Sequence, residues 1–371
     1  MKFTVNSTEL QRSLSKIAGV LPSRSTMPIL ENVLCELSGN TLTLTATDLA
    51  VSLSVGMSVQ GSGDGKAAIP GRRLVETVRS LPDVTAVFVI DEGTHRIKIS
   101  TENGEYTLVG ESAKEFPQVP PVQEGGEITF PVDLLRRIIH RTTFAVSGDE
   151  LRPAMMGVLF QTVDGQMRAV ATDGHRLVRL IQKTVPAGGL GRDVIVPAKA
   201  LATLGRSVEG ETVSCAIGTT HVRFTFGSTV LVSRLIDESY PNYESVIPTD
   251  NTKVLRVRRE ELIASIRRVA LYASATTHQV RLQASESNLE VSAQDADFGG
   301  EARETIACEY TGEAIEIGFN STYVIDLLSH LDADDVAFRF STPTRAAVVA
   351  PVTQTESEDV LMLVMPVRLA S

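Results

Sequence analysis

Residues 41–48 read TLTLTATD, an alternation of polar and apolar side chains that ends in an acid. Two later runs, MRAVATD at residues 167–173 and LEVSAQD at residues 289–295, repeat this pattern. The terminal acids of the three runs lie 125 and 122 residues apart. Self-similarity at a fixed spacing indicates that one structural unit is repeated along the chain.

Three further features return at the same spacing. Prolines that follow a hydrophobic run lie 124 and 125 residues apart, at Pro117, Pro241 and Pro366. Apolar residues at helical spacing open each unit, namely Leu10, Leu14 and Ile17, then Leu134, Leu135, Ile138 and Ile139, then Leu262, Ile263, Ile266 and Val269. A second helical set follows within residues 69–74, 196–201 and 318–328. The four features predict three tandem domains at residues 1–122, 127–249 and 253–371, with linkers at 120–126 and 248–252.

Each unit is predicted to contain two helices and several strands. The helices are expected at residues 8–19, 71–81, 132–145, 197–207, 259–273 and 320–331, with Thr8 as the first N-cap and Gly19 as the first stop. Period-two alternation marks the strands, as in residues 222–226. Short turns such as residues 38–40 separate the strands, and turns this short join antiparallel neighbours. The expected fold class is therefore α+β, with two helices packed on antiparallel sheet in each of three tandem domains.

Composition excludes several classes of protein. Of the 371 residues, 43% are hydrophobic and 22% are charged, as in ordinary globular proteins. No run approaches the roughly 20 apolar residues that a membrane span requires, and the N-terminus turns polar too early for a signal sequence. Cys35, Cys215 and Cys308 are far apart and form no CxxC pair. We therefore expect free thiols in the cytoplasm, with no metal and no cofactor.

The net charge of −10 argues against a nucleic-acid partner unless positive charge is concentrated somewhere. The six predicted helices together carry +7, which leaves −17 for the rest of the chain. In the first helix of each unit the bases are predicted to lie opposite the apolar residues, and they are Arg12 and Lys16, Arg137 and Arg141, and Arg267 and Arg268. A solvated face is the ordinary explanation for one such helix. Repetition in three units favours a shared basic surface.

Three like domains per chain can form an arc, which two chains related by a twofold axis can close into a ring. The twelve helices of such a dimer, spaced by about 10 Å, give a circumference of roughly 120 Å. Allowing about 10 Å for the diameter of a helix leaves a hole of roughly 28 Å, which admits duplex DNA with water. A ring of this kind holds DNA by topology, so it needs only a weak, sequence-independent attraction to phosphates.

Four motifs resemble the bacterial DNA polymerase III beta subunit family. They are ATDGHRL at residues 171–177, YPNY at 240–243, the ending VMPVRL at 364–369, and RSTMPIL at 24–30. The resemblance covers essentially the whole chain, and ATDGHRL together with a terminal MPxRL is highly specific. It implies a head-to-tail homodimeric ring around double-stranded DNA, a sliding clamp that confers processivity on the replicative polymerase and has no catalysis of its own. The expected location is the cytoplasm, in association with the nucleoid.

The same resemblance implies partners that insert short linear motifs into a pocket. These partners are the DNA polymerase III alpha subunit, the clamp loader delta subunit, other polymerases and repair proteins. The residues that match the family's pocket are Met155, Thr172, Gly174, His175, Arg176, Leu177, Pro241, Val246, Met365, Pro366, Val367 and Arg368. Apolar and thioether side chains suit hydrophobic anchors, and adaptable methionine suits several partners.

Two other surfaces follow from the resemblance and from the helix charges. The candidates for DNA contact are Arg24, Arg72, Arg73, Arg137, Arg141 and Arg152. The dimer seam would join Tyr106 and Leu108 of one chain to Leu271 and Tyr272 of its partner, and ordinary core packing is the alternative for these four residues.

The sequence departs from the family pattern in three places. Ser245 stands where the family has an arginine beside the pocket, which puts one polar contact in doubt. Ala370 and Ser371 extend past the usual Arg-Leu terminus. The loop at residues 148–154 has no aromatic side chain to stack against DNA, so Arg24 and Arg152 are the better candidates for DNA contact.

An enzyme and a protein scaffold are the two alternatives to a clamp. An enzyme could use Asp173 and His175 as an acid/base pair, but the third repeat has Asp295 without a histidine, and no nucleophile, phosphate-loop or metal-ligand motif occurs. A scaffold that binds proteins but not DNA is favoured by the net charge and opposed by the bases on the repeated helices.

Overall fold

The computed structural model describes residues 1–122, 126–185, 190–295 and 299–369. Its backbone contacts divide the chain into two compact units. The first unit comprises residues 1–135 and 199–235, and the second comprises residues 136–198 and 236–371. Part of the first predicted linker (residues 123–125) and the C-terminal extension of Ala370 and Ser371 lie outside the described residues.

The six predicted helices are present within the described residues, each within a few residues of its expected bounds. They are α1 (Ser7–Ile17), α2 (Gly71–Ser80), α3 (Val132–Thr143), α4 (Ala198–Ser207), α5 (Arg259–Val269) and α6 (Ser321–Ser329). The predicted cap of α1 is wrong: Asn6, rather than Thr8, is the N-cap, because its Oδ1 accepts the backbone N–H groups of Thr8 and Glu9 at 2.9 and 3.2 Å. In the described part of the chain, none of the helices combines the length and the apolarity that a membrane crossing demands.

The strands follow the threefold repeat. The first repeat contains β1 (Lys2–Asn6), β2 (Asn32–Ser38), β3 (Thr41–Thr47), β4 (Val51–Ser58), β5 (Gln60–Ser62), β6 (Gly65–Pro70), β7 (Thr85–Asp91), β8 (Arg96–Ser100) and β9 (Glu105–Val109). The second contains β10 (Gly126–Pro131), β11 (Gly157–Val163), β12 (Gln166–Thr172), β13 (Arg176–Gln182), β14 (Val194–Pro197), β15 (Thr212–Ile217), β16 (His221–Phe226) and β17 (Thr229–Arg234). The third contains β18 (Lys253–Arg258), β19 (Gln279–Ser285), β20 (Asn288–Asp295), β21 (Gly300–Ala307), β22 (Glu309–Thr311), β23 (Ile315–Asn320), β24 (Asp335–Phe340), β25 (Ala347–Pro351) and β26 (Glu358–Val364).

The first unit holds two antiparallel sheets. One has five strands in the order β5-β1-β7-β8-β9, and the other has eight in the order β10-β15-β16-β17-β4-β3-β2-β6. The larger sheet contains strands of two repeats, because β17 pairs with β4 and places Leu231 opposite Leu53. Helix α1 packs against α2, β3 and β4. Its stripe of Leu10, Leu14 and Ile17 is fully buried, and each such side chain contributes about 1.5–3 kcal/mol by leaving water.

The second unit is built in the same way. A nine-stranded antiparallel sheet runs β14-β11-β12-β13-β26-β25-β24-β18-β22, and a four-stranded sheet runs β21-β20-β19-β23. Here β13 pairs with β26, which places Leu177 opposite Leu363. Both leucines belong to a buried cluster that also includes Leu159, Val170, Ile195 and Tyr243. The predicted antiparallel α+β architecture is confirmed, and the sheets cross the boundaries between repeats.

The acid that marks each repeat has a structural role in the turns where it is described. Asp48 ends the β3 side of a hairpin, and its Oδ1 accepts the N–H groups of Ala50 and Val51 at 3.0 and 2.7 Å. Asp173 does the same after β12 for His175 and Arg176, at 2.8 and 2.9 Å. An aspartate that bonds the backbone two or three residues ahead stabilises a turn. Turn formation therefore explains the acid in the first and second repeats.

The three cysteines are free thiols, as predicted. Cys35 and Cys215 are buried, and burial raises the pKa of each thiol to about 12. The pKa of the partly buried Cys308 is also raised by burial. Because the thiolate is the reactive form, these cysteines are poor nucleophiles and poor metal ligands at neutral pH.

Candidate functional site

A cavity of about 720 Å³ opens within the second unit. Its walls come from the turn after β12, the short helix at Pro153–Met156, the segment at 241–250, the loop at 344–346 and the end of β26. Eight of the twelve residues predicted for the pocket line this cavity, and they are Met155, Thr172, Gly174, Arg176, Leu177, Pro241, Val246 and Met365. The volume lies in the range of about 300–1,000 Å³ that ligand sites occupy.

The floor of the cavity is apolar and rigid, whereas its edge is apolar and exposed. Leu177 and Leu363 form the floor, directly opposite each other on β13 and β26. Val246 and Met365 line the same cavity, yet both are exposed large hydrophobic side chains. Exposed apolar groups around a buried floor are typical of a surface that a partner covers.

Four predicted pocket residues lie outside the cavity: His175, Pro366, Val367 and Arg368. The ring of His175 stacks on Tyr323, with centroids 5.6 Å apart. The N–H of Val367 donates to Gly318 O at 2.9 Å, so the chain after Met365 runs along the four-stranded sheet instead of the cavity. These four residues were assigned to the pocket by the family resemblance, and they are not part of the lining of this cavity.

Arg176 reaches the cavity wall with its donors already engaged. Its Nε donates to Asp173 at 3.0 Å, Nη1 to Asp326 at 2.6 Å, and Nη2 to Phe144 O at 2.8 Å. The guanidinium also lies 5.3 Å from the ring centre of Phe144 and 5.0 Å from that of Tyr323. Two carboxylates and two rings hold the side chain in one position, so Arg176 is a fixed part of the wall.

The turn that joins β12 to β13 shapes the same part of the wall. Gly174 adopts a φ of +90°, and a Cβ there would lie 3.0 Å from Nη1 of Arg152. Arg152 in turn pairs with Asp149 at 2.9 Å and donates to Asp173 O at 3.1 Å. The hydroxyl of Thr172 donates to Arg176 O at 2.7 Å. The turn needs glycine at this position, and its hydrogen bonds keep it rigid.

Ten other residues of the cavity lining were not predicted from the sequence. They are Asn242, Tyr243, Ile247, Pro248, Thr249, Asp250, Thr344, Arg345, Ala346 and Leu363. Most lie in loops, where no hydrophobic period marks the direction of a side chain. Ser245, the departure noted in the sequence, also lines the cavity, and its hydroxyl donates to Asn242 O at 2.7 Å.

The candidate DNA contacts differ in their exposure and in their pairing with carboxylates. Arg24, Arg72 and Arg73 are exposed, and Arg72 pairs with Glu76 at 3.1 Å along α2. Arg137 is partly exposed and lies 3.4 Å from Glu358. Arg152 is 44% exposed, and its guanidinium donates to Asp149 and to Asp173 O.

Arg141 contradicts its prediction. It was expected on the exposed face of α3, but it is only 5% exposed and pairs with Glu358 and, at 3.2 Å, with Asp332. Glu358 is also buried and accepts from Gln182 Nε2 at 2.8 Å. The reason is that Arg141 points to Glu358 on β26, beside Gln182 of β13, and a buried base needs a carboxylate partner of this kind. A residue neutralised in this way does not face phosphate.

The four residues predicted for the dimer seam divide into two groups. Tyr106, Leu271 and Tyr272 are 39%, 82% and 48% exposed, respectively. Leu108 is buried in the first unit, so the alternative of core packing holds for that residue. Tyr106 lies on β9, an edge strand of the five-stranded sheet, and β21 is an edge strand of the four-stranded sheet.

Repeated α+β domains, exposed bases on helices and a half-apolar cavity define a binding protein rather than an enzyme. Models of the N-terminal, central and C-terminal domains of the DNA polymerase III beta subunit match residues 1–120, 129–242 and 244–368. The chain therefore belongs to the DNA polymerase III beta subunit family.

Relatives and solved structures agree over the full length. The beta sliding clamps of Pseudomonas aeruginosa and Vibrio cholerae are 33% and 30% identical, with complete coverage of both chains in each case. Among solved structures, the DNA polymerase sliding clamp of Pseudomonas aeruginosa with ligand has a TM-score of 0.92 at 32% identity. The sliding clamp of Bartonella birtlesii bound to griselimycin has a TM-score of 0.94 at 30% identity. Both comparisons cover 100% of each chain.

This membership makes the chain a non-catalytic sliding clamp. The alternative of an acid/base pair is wrong for Asp173 and His175. Asp173 is engaged in the turn and with Arg176, while His175 stacks on Tyr323.

Proposed function

We propose that two copies of this chain, arranged head to tail, encircle duplex DNA and tether the replicative polymerase for processive synthesis. The main support for this proposal is that models of three consecutive clamp domains match residues 1–120, 129–242 and 244–368. We place the three clamp domains at residues 1–122, 127–249 and 253–371. A clamp that holds DNA by topology works close to the chromosome, so we expect association with the nucleoid.

Retention on DNA tests the topological function. The clamp is loaded onto closed circular DNA by a clamp loader, and the circle is then cut once. Retention on the circle with rapid release after linearisation is expected, because a ring slides off a free end. Equal retention on both forms would contradict topological binding. Binding to neither form, with normal binding of a polymerase peptide, would favour a protein scaffold.

DNA contact is assigned to the exposed bases, with Arg141 removed from the set. Arg24, Arg72 and Arg73 in the first unit, and Arg137 and Arg152 in the second, are the candidates. Their contribution is a weak attraction to phosphates that carries no sequence information. Such contacts allow sliding, because each phosphate is equivalent to the next.

The cavity of the second unit is proposed to bind short linear motifs of partner proteins. We expect these partners to include the alpha subunit of DNA polymerase III, the delta subunit of the clamp loader, other polymerases and repair proteins. Leu177 and Leu363 would receive apolar anchors, and Met365 would adapt to different ones. Two relatives have been solved in complex with griselimycin. We expect that compound to bind this chain and to compete with a labelled polymerase peptide in fluorescence anisotropy.

The dimer seam is proposed to join β9 of one chain to β21 of its partner. Both are edge strands, and an edge strand presents unpaired N–H and C=O groups to any strand that can pair with it. Exposed apolar side chains lie at both proposed sides of the seam. Tyr106 is on β9, and Leu271 and Tyr272 are in the turn that follows α5. Burying them against a second chain would remove apolar surface from water. A mass measurement in solution is expected to give the dimer.

A further inference from the structure

Few of the residues that line the cavity of the second unit are charged. Of the described residues that line it, three are charged: Arg176, Asp250 and Arg345. Arg176 is 11% exposed, and each of its three nitrogens has a partner. Three of its five N–H donors are therefore engaged, and the side chain is largely buried. The charge that a ligand meets is therefore that of Asp250 and Arg345.

Asp250 and Arg345 form a solvent-exposed ion pair. The guanidinium of Arg345 donates from Nη1 to Asp250, and the two side chains are 53% and 58% exposed. An ion pair this open to water contributes little to stability. A guanidinium has five N–H donors, and the pair with Asp250 uses one nitrogen of Arg345. The remaining donors can receive a second carboxylate.

The backbone beneath this pair is fixed, although the side chains are exposed. The amide of Asn251 donates to Arg339 O at 2.8 Å and to Ala346 O at 3.0 Å. Ala346 is buried in the cluster behind the cavity. These bonds hold residue 250 beside residue 345, so Arg345 stands at a defined place on the cavity wall. Arg176 provides a precedent within the same unit, since its guanidinium serves two carboxylates at once.

We propose that Arg345 selects partner peptides that carry a carboxylate beside their apolar anchors, with Asp250 holding the guanidinium ready. The proposal rests on the proposed peptide-binding function of the cavity. Ser245 also lines the cavity, but its hydroxyl is already engaged with Asn242 O. The cationic contact of the cavity therefore comes from Arg345 in the loop at 344–346. The bidentate geometry of a guanidinium suits a carboxylate.

Three synthetic peptides test the assignment. They share leucine and phenylalanine anchors and differ at one flanking position, which is Asp, Asn or Lys. Fluorescence anisotropy measures their binding to the full-length clamp and to the variants Arg345→Gln, Arg345→Glu and Asp250→Asn. Arg258→Gln is the matched control, because Arg258 is an exposed base paired with Asp335 outside the cavity.

We expect the unmodified clamp to bind the Asp peptide about twofold to fivefold more tightly than the Asn peptide, the range of a partly exposed charge pair. Arg345→Gln should abolish the difference while leaving the affinity for the Asn peptide unchanged. Arg345→Glu should reverse it in favour of the Lys peptide, and Asp250→Asn should keep or increase it. Arg258→Gln should leave all three affinities unchanged.

Two results overturn the assignment of Arg345. One is a preference for Asp that survives Arg345→Gln, and the other is a preference of the unmodified clamp for the Lys peptide, which would make Asp250 the selecting residue. Failure of the underlying function has a different signature. In that case none of the three peptides binds the unmodified clamp, whatever the residue at position 345.

Discussion

Gly174 lies where both the backbone conformation and a neighbouring side chain disfavour a Cβ. Its φ of +90° is a conformation that L residues rarely adopt, and a Cβ would lie 3.0 Å from Nη1 of Arg152. One glycine therefore couples the shape of the cavity wall to the position of an arginine that is itself bonded to Asp149 and Asp173.

Replacing Gly174 by alanine should destabilise the fold by about 1–2 kcal/mol, the cost of a non-glycine residue at positive φ. It should also weaken peptide binding, because Arg152 and the cavity wall must shift. Urea unfolding and fluorescence anisotropy measure the two effects. Gly165→Ala is the control, since Gly165 has a φ of +73° with nothing within 4 Å of a Cβ. The control should lose similar stability and keep its peptide affinity; equal losses of affinity would contradict the role of Gly174.

Arg141 and Glu358 form a buried pair, and each has a side chain that is 6% exposed. Arg141→Leu would leave the carboxylate of Glu358 buried without its main partner, which should cost about 3–5 kcal/mol. Arg258→Leu removes an exposed base instead and should cost less than about 0.5 kcal/mol. Thermal and urea unfolding compare the two variants. Equal stability of the two would mean that the carboxylate finds another partner or becomes neutral at little cost.

At the scale of elements, the sequence was most informative where side chains repeat with a fixed period. The helices could be predicted because apolar residues such as Leu10, Leu14 and Ile17 recur at helical spacing. The inward direction of Arg141 could not, because the carboxylate that makes its burial tolerable lies 217 residues away on β26. The loop at 344–346 was missed as a cavity wall for a similar reason: only the folded chain brings it to the segment at 241–250.

The segment after α5 tests the proposed seam between chains. Leu271 is 82% exposed, so Leu271→Glu should leave the folded chain intact while placing a charge in the dimer interface. We expect dissociation into monomers at concentrations where the unmodified protein is dimeric, measured by analytical ultracentrifugation. Leu151→Glu is the matched control, because Leu151 is 90% exposed on a loop outside the seam. If both variants remain dimeric, the seam does not include Leu271.

For the whole molecule, the question is how a chain of net charge −10 attracts DNA. The exposed bases on helices account for this only if their charge acts on phosphates. The affinity for DNA falls as salt rises, and each phosphate contact makes the slope of log affinity against log salt more negative by about 0.9. Arg72→Ala combined with Arg73→Ala should therefore make DNA binding weaker and less dependent on salt, as measured by titration at several salt concentrations. An unchanged slope would remove α2 from the DNA surface. Arg256→Ala combined with Arg258→Ala, which also removes two exposed bases, serves as the control for net charge.

The pairing of β4 with β17, and of β13 with β26, has a consequence for anyone who wishes to cut the chain into pieces. A fragment that ends after the first repeat would expose β4 as a bare edge, and bare edges invite aggregation. The repeat is the unit that recurs in the sequence, but two of the sheets are completed only by strands of a neighbouring repeat. Truncated proteins for crystallography or inhibitor screening should therefore keep both strands of each joint, and shuffling whole repeats between relatives should require exchanging β4 and β17 together.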